Sequence, residues 1–284
     1  MNLDLYRTPV ALSAPGKHAA LFDGLPRDVG ALARIAQGLL IHEHMTEAYG
    51  VKLAPARHAE AHVRPLADVL DRITSSDPRP LSTSRAPEGR YVCVCRSFAL
   101  LMVAMLRSQG TPARARCGFG MYFEKGKGYD HWVTEYWNAG EKRWVLVDAQ
   151  IDDRQRRMFG ITIDTLDVPR DQFLVAGDAW RLCRTGKADP KSFGILNMWG
   201  YWFIASNIVR DVAALNNREM QPWDCWGIMT QDDKQLDNAL LDRLAELTRN
   251  PDENLDELRA LYRDPRLVVP PTVFNAVLNR PEAA

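Results

Sequence analysis

The sequence lacks an excess of charge of either sign. Its 36 basic side chains balance its 36 acidic ones, so no overall positive field would attract nucleic acid or an anionic membrane surface. The N-terminus shows no basic segment followed by an apolar one, and the most apolar later stretch, 193–208, is too short and too often interrupted to span a bilayer. These absences predict a cytoplasmic protein that binds neither nucleic acid nor membrane.

Cysteine is scarce as well, with five residues and no CxxC motif. An odd number of cysteines argues against a disulfide framework, and the absence of recognisable ligand spacing argues against a structural zinc site. The histidine pairs 42/44 and 58/62 are interpreted as solvated surface residues. Residue 59, where a zinc protease helix carries its glutamate, is alanine. The sequence therefore predicts neither a metal nor an organic cofactor.

What the chain does contain is the composition of an ordinary globular protein, with 284 residues of which 46% are apolar and 25% charged. The spacing of apolar residues separates segments of helical period from segments that alternate. Helices are predicted at 27–48, 65–74, 95–109, 198–215, 234–249 and 255–262, and strands at 113–123, 131–137, 143–149 and 158–163. The order of these segments predicts an α+β fold.

The same pattern divides the chain into three consecutive parts. Residues 1–84 are predicted to form an N-terminal helical lobe, and 85–165 to form a core in which a buried helix packs on an antiparallel sheet. Residues 166–284 are predicted to form a mainly helical C-terminal extension. The Ser-, Pro- and Arg-rich segment 75–90 is a loop that leads into the core.

Two cysteines, Cys93 and Cys95, stand just before the most apolar helix of the chain. Nine successive apolar residues, 98–106, predict that this helix is buried nearly all round. Cys95 is at its predicted start, where free N–H groups and the positive end of the peptide dipoles favour a thiolate. Cys93 lies in the extended approach and is interpreted as a small buried apolar residue.

A thiol nucleophile needs a base, and the base needs a group that orients it. The segment NAGE, 138–141, predicts a hairpin between the strands at 131–137 and 143–149. If paired residues have numbers that add up to 279, Glu135 opposes Trp144 and His131 opposes Asp148. That register predicts that His131 and Asp148 are direct cross-strand neighbours on the face that meets the start of the Cys95 helix.

Taken in order, the segments CRSFA, LRSQGTPAR, HWVTEYW and WVLVD resemble the transglutaminase-like superfamily of papain-type cysteine enzymes. The resemblance covers about residues 85–150. It implies a papain-like core in which Cys95 is the nucleophile, His131 is its base and Asp148 orients the imidazole. Glycine and acidic residues that relatives often carry beside the cysteine are replaced here by Val94, Arg96 and Ser97, and no tryptophan precedes the cysteine.

The resemblance implies a cysteine enzyme that forms a thioester from a peptide, an amide or another acyl donor. The thioester would then be hydrolysed, as in a protease or amidase, or transferred to an amine, as in an acyltransferase. The Cys95 N–H would be one oxyanion donor, and the second is unassigned. The alternative is a catalytically inactive transglutaminase-like module that binds a partner through the aromatic-rich region 180–226.

Overall fold

The fold combines helices with a mixed sheet, which confirms the predicted α+β class. The computed structural model describes residues 3–284. Within these residues the chain forms two compact units. We call 3–115 with 133–168 the N-terminal unit, and 116–132 with 169–284 the C-terminal unit. The division into three consecutive parts, which follows the sequence rather than the contacts, stays a prediction.

The helices and strands follow one another along the chain in the order α1 Val29–Leu39, β1 Leu40–His42, α2 Leu66–Ser76, β2 Tyr91–Cys93, α3 Cys95–Ser108, β3 Ala113–Glu124, β4 Lys127–Asn138, β5 Arg143–Val147, α4 Asp153–Phe159, β6 Phe173–Val175, α5 Ala176–Arg184, β7 Phe193–Ile195, β8 Met198–Trp199, α6 Tyr201–Leu215, β9 Asp224–Cys225, α7 Asn238–Arg249, α8 Leu255–Leu261, β10 Thr272–Asn275 and β11 Arg280–Ala283. Short 3₁₀ helices fill several of the connections.

The first predicted helix, 27–48, is wrong in its second half. Asp28 caps α1 by accepting a hydrogen bond from the Ala31 N–H at 2.7 Å, but α1 ends at Leu39. The next three residues form β1, which pairs in parallel with β2, and a 3₁₀ helix, Glu43–Tyr49, follows. The helical spacing of apolar residues continues through 40–48. Pairing of β1 with the distant strand β2 therefore overrides that local spacing.

Helix α3 is the centre of the N-terminal unit. Every residue from Cys95 to Arg107 is buried, as the run of apolar side chains predicts. Helices α1 and α2 pack against α3. The Thr134 hydroxyl of β4 donates to the Ala99 carbonyl of α3 at 3.1 Å, which fixes the helix to the sheet near its first turns.

The principal sheet has the strand order β6-β3-β4-β7-β8, and β5 also pairs with β4. In the N-terminal unit the last five residues of β4 pair with β5 in antiparallel register. In the C-terminal unit β6 pairs with β3 and β7 pairs in parallel with β4. The two long strands β3 and β4 therefore contribute residues to both units.

The C-terminal unit contains helices α5 to α8, of which α5, α6 and α7 pack against one another. A second antiparallel sheet has the order β11-β10-β9. The buried ion pair between Arg116 of β3 and Asp211 of α6, at 2.8 Å, joins the sheet to this helical layer. Arg116 also donates to the Thr248 carbonyl of α7 at 2.6 Å.

A strand at 158–163 was predicted and is absent from the structure as described. Met158 and Phe159 instead complete α4, which is capped at its start by Asp152 and closed by Gly160 at φ 65°. A glycine in the left-handed region is the usual end of a helix, and it outweighs the weak alternation of the residues that follow. Among residues 3–284, no helix has the length and apolar character needed to cross a membrane.

Candidate active site

Cys95 is the first residue of α3, as predicted, and its side chain is buried. The residue before it, Val94, has extended backbone geometry and gives the helix no side-chain cap. The first turn contains no acidic residue. It does contain Arg96, which is fully buried and donates to the Arg64 carbonyl at 2.8 Å. Cys95 therefore begins a buried helix, at the end where backbone N–H groups have no partner within the helix.

The neighbouring thiol has a different environment. Cys93 is the last residue of β2, where it pairs with His42 of β1 and has no exposed surface. Burial raises the pKa of the Cys93 thiol well above its ordinary value. A thiol that resists ionisation is a poor nucleophile, so the interpretation of Cys93 as a packing residue agrees with its position.

His131 lies in β4 within the C-terminal unit and is buried. Three aromatic rings surround its imidazole edge to face, with centroid distances of 5.1 Å to Phe123, 6.2 Å to Tyr122 and 6.5 Å to Phe173. An imidazole among aromatic rings is held in orientation and is shielded from water on those sides.

Asp148 follows the last residue of β5 in the N-terminal unit and is also buried. Its backbone N–H donates to the Thr165 carbonyl at 2.8 Å, and its carboxylate accepts from the Gln150 N–H at 3.0 Å. The Gln150 side chain donates to Gln155 at 3.0 Å, and Gln155 in turn donates to the Tyr49 hydroxyl at 3.0 Å. The turn that carries the carboxylate is therefore fixed by backbone and side-chain bonds.

The predicted register of the hairpin is wrong by two residues. Glu135 opposes Leu146 rather than Trp144, and the ladder ends at the pair Thr134 and Val147. His131 and Asp148 are therefore outside this ladder rather than directly opposed. In addition, it is Thr134, on the face opposite to Glu135, that bonds to α3, whereas the prediction placed the helix on the face of Glu135.

The turn explains the slip. Asn138 remains in the strand and its side-chain oxygen accepts from the N–H groups of Gly140 and Glu141 at 3.0 and 3.2 Å. Lys142 adopts a φ of 53°, in the left-handed region. The connection therefore consists of 139–142, and Asn138 pairs with Arg143. The spacing of apolar residues does not reveal a turn that is closed by hydrogen bonds to a side chain.

The motif residues that the sequence could not assign have structural roles. Arg114 and Glu135 form a buried ion pair at 2.6 Å, and the Arg114 guanidinium lies 3.9 Å from the centre of the Trp144 ring. Arg107 is buried beside them and donates to the Ala113 carbonyl at 2.7 Å. These contacts hold the motif segments LRSQGTPAR, HWVTEYW and WVLVD together, so these motif residues have a structural role.

The histidine pairs include one correction. His44 and His58 are exposed, as predicted, but His42 is buried and its Nδ1 accepts from the His44 N–H at 3.2 Å, capping the 3₁₀ helix that follows. Over residues 3–284, the structure contains no group of three or more His, Cys, Asp or Glu side chains that could hold a metal ion.

Comparison with known proteins gives one family. Residues 49–149 match the sequence model of the Transglutaminase-like superfamily, which confirms the resemblance predicted from the sequence and extends it toward the N-terminus. No significant match was found among curated proteins. A structural comparison finds the crystal structure of a "Putative Cysteine Protease" from Cytophaga hutchinsonii at 18% identity and a TM-score of 0.33. The match covers 62% of this chain and 46% of that one, so the chain spans less than half of its length.

Proposed function

We propose that this chain, whose residues 49–149 match the Transglutaminase-like superfamily, is a cysteine enzyme that forms a thioester with an acyl donor. Cys95 is the nucleophile, His131 the base and Asp148 the residue that orients the imidazole. The observation that carries the proposal is the position of Cys95 at the first residue of the buried helix α3.

The placement of the two thiols supports one nucleophile rather than two. Cys95 is at a helix start with no acidic residue in the first turn, whereas Cys93 is on a strand and its pKa is raised by burial. Both are nearly inaccessible to solvent in the free protein, so exposure does not distinguish them. Position does distinguish them, because Cys95 begins a helix whereas Cys93 ends a strand.

The proposed reaction begins with transfer of the Cys95 proton to the imidazole of His131. The sulfur attacks the carbonyl carbon of an amide, and the C–N bond breaks as His131 returns the proton to the departing amine. The resulting thioester is resolved when water or a second amine attacks the same carbon and the C–S bond breaks, which restores the thiol. Asp148 stabilises the imidazolium that exists between the two proton transfers.

The proposal is tested by trapping the acyl-enzyme. We expect p-nitrophenyl acetate or a small phenyl thioester to add one acyl group to the full-length protein, found on Cys95 by intact mass and peptide mapping. Cys95→Ala should accept none. His131→Gln and Asp148→Asn should each slow acylation, the first by about 10²- to 10⁴-fold, the range typical of general acid–base catalysis.

A matched control separates activation from exposure. Cys225 is the most accessible of the five cysteines, and burial raises the pKa of Cys183 to about 12. If exposure alone decided reactivity, iodoacetamide at mildly acidic pH would label Cys225 first, and Cys225→Ala would abolish the labelling. The proposal requires that Cys95 be labelled first and that Cys225→Ala leave acylation unchanged. Equal labelling of all five cysteines would favour the inactive binding module.

A further inference from the structure

A strip of partly exposed apolar side chains leads away from His131 within the C-terminal unit. The rings of Phe123, Tyr129 and Trp199 follow one another edge to face, starting at the imidazole. Centroid distances are 5.1 Å from His131 to Phe123, 6.3 Å from Phe123 to Tyr129 and 5.5 Å from Tyr129 to Trp199. We call these three residues with Leu196 the aromatic strip.

A glycine of β7 lies between the strands that carry Tyr129 and Trp199. In register, Tyr129 of β4 is paired with Gly194 of β7, and Gly194 is paired with Trp199 of β8. Tyr129 and Trp199 are therefore both neighbours of Gly194 in register, and their ring centroids lie 5.5 Å apart. A Cβ at Gly194 would lie 2.0 Å from the Met198 carbonyl oxygen, so no other residue fits there without movement of the backbone.

Polar contacts hold the strip at its edge. The Tyr129 hydroxyl donates to Glu124 at 2.5 Å, and Lys127 pairs with the same carboxylate at 2.8 Å. The Lys127 ammonium lies 5.8 Å from the Trp199 ring, whose indole N–H donates to the Leu196 carbonyl at 2.7 Å. Each polar tip thus has a partner, and the ring surfaces that remain are apolar and fixed before any ligand arrives.

The strip ends at the most exposed large apolar side chain of the described residues. Leu196 is 69% exposed at the turn between β7 and β8, where its φ is 53°. Glycine and asparagine are the residues usually found in the left-handed region, and a bulky side chain is disfavoured there. An exposed leucine held in this conformation at the end of three partly exposed rings forms an apolar surface rather than an isolated surface residue.

We propose that the aromatic strip binds a bulky apolar side chain of the substrate on its leaving-amine side. This inference rests on the proposed function in one respect, namely that His131 returns the proton to the departing amine. The part of the substrate next to that imidazole is then the amine portion, and the strip extends from the imidazole to solvent. The lysine and glutamate at its edge neutralise each other, so the surface selects apolar shape and not charge.

Binding tests the proposal without catalysis. In Cys95→Ala protein labelled with ¹⁵N-tryptophan, we expect phenylalanine amide to shift the Trp199 indole signal and to bind about tenfold more tightly than glycine amide, an increment typical of one aromatic contact. Trp199→Ala should remove that preference. Trp202→Ala is the matched control, because Trp202 is also partly exposed but packs on Phe203 outside the strip.

Turnover provides the second measurement. With a phenyl thioester as donor, phenylalanine amide should resolve the acyl-enzyme about tenfold faster than glycine amide. Leu196→Ser, at an exposed position that cannot unfold the core, should reduce this ratio even if Trp199→Ala folds poorly. An unchanged ratio in Leu196→Ser, or equal binding of the two amides, overturns the inference. Failure of Cys95 to acylate at all would refute the proposed function and leave the binding measurement to decide the inference.

Discussion

Asp130 immediately precedes His131, and its carboxyl group is buried among polar partners in the C-terminal unit. It accepts a hydrogen bond from the Asn207 side chain at 2.7 Å, and Asn207 accepts from Arg210 at 2.9 Å. Burial raises the pKa of Asp130, although Arg210 and the bond from Asn207 oppose the shift. Burial outweighs these opposing contacts, so it is burial and not the hydrogen-bond network that favours the protonated form of Asp130.

The raised pKa of Asp130 predicts a pH dependence of stability. A carboxyl group whose folded pKa exceeds the unfolded value of about 3.9 stabilises the fold fully below that value, and the contribution is lost as pH rises through the folded pKa. Asn cannot titrate and keeps an acceptor for Asn207. The free energy of unfolding of the wild type minus that of Asp130→Asn should therefore be largest near pH 3.5 and should fall toward pH 7. Urea unfolding across this range measures it, and a constant difference would contradict the prediction.

Strands β3, β4 and β5 are tied together by the buried pair of Arg114 and Glu135. The guanidinium lies against Trp144 at 3.9 Å and 5.2 Å from the Tyr6 ring centre, which replaces part of its lost hydration. Both residues belong to motif segments of the sequence, but their pairing was not recognisable, because 21 positions separate the two along the chain. The pairing depends on the sheet and not on local spacing.

Breaking this pair should be costly, and replacing it should not. We expect Glu135→Gln to lower the free energy of unfolding by about 3–5 kcal/mol, because Arg114 is left buried without its counter-charge. The double variant Arg114→Met with Glu135→Met should recover much of that loss. Denaturant unfolding of the single and double variants gives the coupling energy.

An exposed pair provides the comparison for this cycle. Arg143 and Asp167 are 43% and 45% exposed, so Asp167→Asn should change stability by less than about 1 kcal/mol. A cost for Glu135→Gln that is as small as that for Asp167→Asn would contradict the assignment of a buried ion pair.

The segment that matches the family does not contain all of its own packing partners. Residues 118–120 of β3 pair with β6, and Arg116 is buried against Asp211 and Thr248 of helices α6 and α7. Residues 116–132 therefore belong to the same compact unit as 169–284. The matched segment is continuous along the chain, but it packs against residues that lie after it.

Truncation tests whether the matched segment depends on these contacts. A protein ending at residue 168 should fail to unfold cooperatively, because β3 would lose its β6 neighbour and Arg116 would lose its buried counter-charge. Circular dichroism during heating, with the full chain as the reference, measures the difference. A sharp thermal transition in the shortened protein would show that the matched segment folds on its own.

The sequence by itself determined the elements of the candidate site. The apolar run of 98–106 predicted a buried helix, the position of Cys95 predicted a thiol at its start, and the alternating segments predicted the strands that carry His131 and lead to Asp148. These predictions succeeded because helical period, strand period and turn residues are local properties of the chain.

Only the tertiary structure decided how these elements are joined. A shift of register by two residues keeps every side chain on its face, so alternation could not distinguish a sum of 279 from the observed pairing of Glu135 with Leu146. Pairing with β2 ended α1 at Leu39 despite continuing helical spacing. Pairing of β7 with both β4 and β8 brings Tyr129 and Trp199 to either side of Gly194, which the sequence did not predict. The end of α1 and the contact at Gly194 depend on strands that are distant along the chain, and the register depends on a turn that the Asn138 side chain closes. The spacing of apolar residues encodes neither kind of interaction.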